Sequence, residues 1–236
     1  MTFTGDDTVR VDEIAWAAEY DAARERIGRL LEAATADEAA TLVPACPAWT
    51  VRDLLAHVTG LAAALSNGQM PGADQQAWLD GLVDARRERS IGELLDEWAA
   101  TQPGISVFLE RMGGGGSQLV YDVVAHEHDL RHALGRPGAQ DSSGVAACAT
   151  AVSNMVARDL AAHALPAVQI TSGGRTWNVG EGTPELAIEL DPFELIRVFG
   201  ARRSEAQMRA LPWRGDLDRF LPGLAHSPLP VEDLIE

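Results

Sequence analysis

The hydrophobic period of this chain changes once, near residue 164. Before that point apolar residues recur at three- and four-residue steps, Ala and Leu dominate and β-branched runs are few, which is the pattern of one amphipathic helix after another. Beyond it, short segments rich in β-branched residues alternate in period two. The division implies a helical bundle over residues 8–164 followed by a small α/β domain over 165–236, an α+β chain overall. No internal repeat is present.

The helical part resolves into segments with their own start and stop signals. Ile14, Ala17, Ala18, Ile27, Leu30, Leu31 and Ala34 predict a first helix over about 11–35. The segment VPACPAW breaks the chain, after which Thr50 with Asp53 three residues on forms a capping-box pair for a second helix reaching about Asn67, with His57 two turns inside it. Ser90 with Glu93 repeats the pattern within a helical region from about 75 to 112, which Pro103 and Gly104 are expected to kink or split. Gly113 to Gly116 reads as a flexible connection; neither a preceding strand nor a GK[ST] run is present to make it a phosphate cradle. Helices over about 117–134 and 143–163 complete this part. In the second part, AVQITS, RTWNVG and ELAIEL predict a small antiparallel sheet. Asp191-Pro192 starts a helix, and a short helix near 204–209 follows.

Composition narrows function by exclusion. With 35 Asp+Glu against 19 Lys+Arg the formal charge is −16, so affinity for phosphate backbones or anionic lipid is not expected, and nucleic acid and membrane are set aside as partners. All 19 cations are arginine, which rules out a Walker A lysine, a Schiff-base lysine and a Ser/Lys dyad. Cys46 and Cys148 have no CxxC spacing and read as small, buried, reduced core residues. The N-terminal MTFTGDDTVR lacks an apolar h-region and no apolar run approaches the ~18 residues of a spanning helix, so a cytoplasmic protein, monomer or homodimer, is expected.

The histidines carry the chemistry. Asp122 and His126 stand four apart on one predicted helix and project from one face, a spacing suited to two ligands of one divalent metal. His57, on another helix of the same bundle, is the candidate third ligand, since bundle metal sites are built from inward side chains on facing helices. Three such ligands leave positions open for water or substrate, as in catalytic sites. A satisfied core histidine and a chance Asp/His pair are the competing reading. Asp129 returns to the same face and is expected to orient a histidine or pair with Arg131, whereas Glu127 points elsewhere. His128 and His132 form a second pair on a different face and are expected at the periphery. Trp49 is expected as a hydrophobic staple, Tyr121 as a neighbour of the cavity, and His163 and His226 at the surface.

CPAWTVRDLLAHVTG (46–60), YDVVAHEHDLRHALGRP (121–137) and DPFELIRVFGARRSEAQMRALPWRGD (191–216) resemble, in order, the signatures of the mycothiol-dependent maleylpyruvate isomerase family of the DinB/YfiT-like metalloenzyme superfamily. The resemblance implies an N-terminal DinB-like four-helix bundle holding a divalent metal, usually zinc, at His57, Asp122 and His126, and a smaller α/β C-terminal domain. Asp122 departs from the Glu-containing triad of the isomerase itself, so the distance from helix to metal must differ. It also implies mycothiol as thiol cosubstrate, activated at the metal for S-transfer to, or isomerisation of, a small electrophile. Arg202 and Arg203 are the expected catalytic pair for holding a substrate carboxylate, guanidinium groups being suited to bidentate contact; surface salt bridges are the alternative. A zinc-water hydrolase or lyase on the same bundle, and a non-catalytic thiol- or ligand-binding metalloprotein, are the competing functions.

Overall fold

A computed structural model describes residues 11–224 and 227–236; His226 and the first residues of the expected bundle domain, 8–10, lie outside the described residues. The described chain forms two compact units, one of residues 15–139 and one of residues 140–235 with 11–14.

The first unit runs through α1 (Trp16–Leu31), α2 (Ala36–Ala39), β1 (Leu42–Val43), β2 (Cys46–Thr50), α3 (Val51–Ser66), α4 (Gln75–Asp84), α5 (Ile91–Met112) and α6 (Ser117–Ala133). The long helices α1, α3, α5 and α6 form a four-helix bundle in which α1 and α3 each pack against α5 and α6. The apolar stripe of α1, Trp16, Tyr20, Ala23, Ile27 and Leu31, is buried at the three- and four-residue spacing that its sequence carries. It meets α5 where the Trp98 Nε1–H donates to the Tyr20 hydroxyl at 2.8 Å, satisfying two polar groups in the core.

Three expectations for this unit are corrected. The VPACPAW break is an antiparallel hairpin, β1–β2, pairing Leu42 with Thr50 and Val43 with Cys46. Pro103 does not split its helix: α5 is continuous from Ile91 to Met112. Packing overrides the proline here, because α5 approaches α3 so closely that a Cβ on Gly104 would lie 2.6 Å from the Ser66 Cβ. Gly113–Gly116 is a 3-10 turn rather than a flexible connection, and a Cβ on its buried Gly116 would lie 2.7 Å from Leu109 Cδ2.

The second unit contains α7 (Ser143–Ala162), β3 (Val168–Ser172), β4 (Arg175–Val179), β5 (Leu186–Glu189), α8 (Pro192–Phe199), α9 (Glu205–Ala210), β6 (Arg214–Gly215) and α10 (Leu217–Phe220). The sheet order is β4-β3-β5-β6. Sequence patterning suggests an antiparallel sheet, but the sheet is mixed: β4 returns beside β3 as a hairpin, then the chain crosses to the other edge of β3 and lays β5 parallel to it. Asp191 caps α8 with Pro192 at its first position, and Leu195, Ile196, Val198 and Phe199 bury its apolar face. α7, expected inside the bundle domain ending at 164, packs on α8 and β4, so the compact units divide at 139/140 instead. Among the described residues no helix is long and apolar enough to cross a membrane.

Candidate metal centre

The start of α3 fixes the first donor. The Thr50 hydroxyl accepts the Asp53 N–H at 3.2 Å and the Asp53 carboxylate accepts the Thr50 N–H at 3.0 Å, closing the capping box. Two turns on, His57 is buried in the bundle. α6 supplies Asp122 and His126 one turn apart on the facing side. Asp122 lies between the two imidazoles, with Oδ2 3.4 Å from His57 Nε2 and Oδ1 3.3 Å from His126 Nε2. The two rings stand edge to face with centroids 5.3 Å apart. One donor atom from each of the three residues lies within 4.8 Å of the other two. Asp122 keeps 29% of its side chain exposed, which gives the group access to solvent.

Electrostatics couple the three. Burial works to raise the Asp122 carboxyl, but His126 and His57 outweigh it and hold the group well below the ordinary carboxylate range. Burial alone would depress His126; Asp122, Asp129 and Cys46 reverse that and raise it well above 6.5. Asp122 Oδ2 is buried without a hydrogen-bond partner, and so is His57 Nδ1. Two imidazole nitrogens and, between them, one carboxylate whose Oδ2 lacks a hydrogen-bond partner form a donor set that fits a divalent first-row cation.

The surrounding shell differs from the sequence expectations in instructive ways. His126 Nδ1 meets the wholly buried Asp129 carboxylate at 2.9 Å, so of the two roles open to Asp129 it takes the histidine-orienting one. Arg131 pairs instead with Glu127, which also receives Arg26 from α1 at 2.8 Å and is itself fully buried. His128 is buried, not peripheral, and His132 is half-buried. The reason is that α6 is covered by α1, α3 and the β1–β2 hairpin, so a second helical face also lies inside. Trp49 lays its ring against His57, centroids 4.9 Å apart and planes at 34°, where a staple role was expected. Cys46 is a half-buried thiol with its sulfur within 4.8 Å of donor atoms of His126 and Asp129, rather than a buried core residue. The long-range reach of the hairpin leaves no periodic trace, so no sequence signal identified Cys46 or Trp49 as neighbours of the site. Tyr121 is buried beside Asp122, and His163 is exposed as expected.

Arg202 and Arg203 belong to the C-terminal unit. Arg203 Nε and Nη2 grip the Glu194 carboxylate at 2.8 and 2.6 Å, and Arg202 Nη1 donates to the Gly200 carbonyl at 2.7 Å. The structure thus brings His57, Asp122 and His126 together, and gives Arg203 a structural ion pair.

Residues 20–131 match the sequence profile of the family described as mycothiol maleylpyruvate isomerase N-terminal domain. No curated protein and no solved structure gives a significant match.

Proposed function

Because residues 20–131 form a domain of the mycothiol maleylpyruvate isomerase N-terminal family, we propose that the chain is a zinc-dependent, mycothiol-using enzyme that activates a thiol at His57, Asp122 and His126. The observation that carries this reading is the convergence of those three donors, within 4.8 Å of one another, inside that domain. Zinc bound there would lower the pKa of a coordinated thiol and present it as a thiolate at neutral pH. The chain's own donors suit that task. Asp122 contributes one negative charge and two neutral imidazoles contribute none, so a divalent cation keeps a net positive charge that an incoming thiolate complements. Asp129 holds His126 by its Nδ1–H and leaves Nε2 as the donor. Trp49 walls the His57 side and helps to exclude water. The electrophile that accepts the thiol sets the reaction, S-transfer or isomerisation.

We also propose a carboxylate-binding role in the C-terminal unit. Arg202 and Arg203 are its candidates, and Arg203 would have to release Glu194 to take a substrate carboxylate.

The test is metal content by elemental analysis of the wild type beside His126→Ala, after dialysis with one equivalent of zinc, followed by turnover of electrophiles with and without mycothiol. Near-stoichiometric zinc lost in the variant, and turnover that requires the thiol, are expected. Zinc retained by the variant overturns the ligand set, and turnover without thiol favours metal-bound water.

A further inference from the structure

The two nitrogens of His126 face different chemistry. Nε2 is turned to Asp122, and Nδ1 to Asp129. On the Asp129 side a second group of donors converges: Cys46, His126 and Asp129 each place one ligand atom within 4.8 Å of the others. The geometry points to a second cation site, built from Cys46 Sγ, His126 Nδ1 and an Asp129 oxygen, that takes a thiophilic divalent ion of the zinc–cadmium class.

Ligand type, charge and access support it. A thiolate beside an imidazole selects soft or borderline d10 cations over magnesium or calcium. The donors supply two negative charges, from Cys46 as thiolate and from Asp129, which balance a divalent ion and allow it to lie among buried groups. Asp129 and His126 are held on one turn of α6, while Cys46 arrives on the β1–β2 hairpin, so two separately anchored elements bring the three donors within 4.8 Å of one another. Cys46 is half-buried, which gives an entering ion a path that the fully buried Asp129 alone lacks. Loading breaks the Cys46 S–H bond, forms a metal–sulfur bond and releases the thiol proton. His126 enters through its Nδ1 lone pair as the Nε2–H tautomer, so an imidazolium first gives up its Nδ1 proton to solvent. When a cation also sits on Nε2, the ring bridges as an imidazolate and releases a further proton.

This site is separate from the proposed thiol-activating set, sharing only His126 with it, and does not require that set to be loaded. The test is a cadmium titration of chelator-stripped protein, followed by the ultraviolet thiolate-to-cadmium charge-transfer band. The wild type, Cys148→Ser and His57→Ala are expected to develop the band. Cys46→Ser and Cys46→Ala are expected to lose at least ten-fold of its amplitude. Alkylating the folded wild type gives the same loss without any substitution, because Cys148 is fully buried and shielded. Absence of the band in the wild type, or its survival in the Cys46 variants, overturns the proposal. Loss of the band in folded His57→Ala also overturns it, since Cys46 then serves the same ion as His57. Failure of the thiol-activating reading looks different: in Cys46→Ala protein, where the second site is absent, zinc stoichiometry is then indifferent to a further His57→Ala change, while the cadmium band of the wild type behaves as described.

Discussion

The proton on His126 links pH to metal at the scale of single residues. Asp122, Asp129, His57 and Cys46 face its ring, and its pKa is raised. A raised pKa means stabilisation that is fully present below the unfolded value near 6.5 and is lost as pH rises through the folded value. Asp122, depressed, acts in the opposite sense: its contribution is present above the unfolded value near 3.8 and is lost as pH falls through the folded one. Metal-free protein is therefore expected to lose thermal stability on the alkaline side of neutrality, and His126→Gln to flatten that limb. A Tm series in chelator checks this, and equal slopes for the two proteins contradict it. On the proposed ligand set, zinc would have to displace the His126 proton, so calorimetry at pH 7 in buffers of different ionisation enthalpy is expected to register proton release on binding. Asp129→Asn, which keeps the shape but weakens the hydrogen bond to His126 Nδ1, is expected to reduce zinc affinity about 10- to 100-fold while the fold persists. That Asp122 and His126 share a face was legible in the sequence because i, i+4 spacing on a helix states its own geometry, whereas the approach of His57 from α3 is a tertiary contact that no spacing records. His128 was not, because a helical wheel tells which residues share a face but not how many faces are covered.

Elements set how well those residues are aimed. The Thr50 capping box begins α3 two turns before His57, and Thr50→Ala is expected to cost about 1 kcal/mol of stability, measured by denaturant melts. Gly104→Ala places a methyl 2.6 Å from the Ser66 Cβ and 3.3 Å from that residue's backbone, so it is expected to push α5 from α3 at a cost of about 1–3 kcal/mol. A stability equal to wild type would show that the helices can slide apart freely. Helix starts were readable in the chain, since capping boxes at Thr50 and Ser90 are local signals. Strand pairing was not: β5 joins β3 in parallel across an intervening hairpin, and no local pattern records which edge a strand will choose. The β1–β2 hairpin escaped for a related reason, being too short for alternation to declare itself.

At the scale of the whole molecule, charge and architecture act together. A net charge of −16 raises the local concentration of cations around the chain, so apparent zinc affinity at fixed pH is expected to fall as sodium chloride is added. A salt-independent affinity would mean that only the local donors matter. The change of hydrophobic period announced two kinds of architecture, but it marked where strands begin rather than where packing divides, which is why α7 falls with the sheet. On a face of α6 turned from Asp122 and His126, Glu127 is clasped by Arg26 of α1 and by Arg131. This clasp acts as a key in a shaft. A helix packed by apolar side chains alone can turn a little about its own axis, and any such turn sweeps Asp122 and His126 sideways together. Glu127 keyed to α1 opposes that rotation, so a substitution at Arg26, on another helix and 101 residues before Glu127, is expected to detune the pairing of Asp122 and His126 with His57 by letting α6 roll.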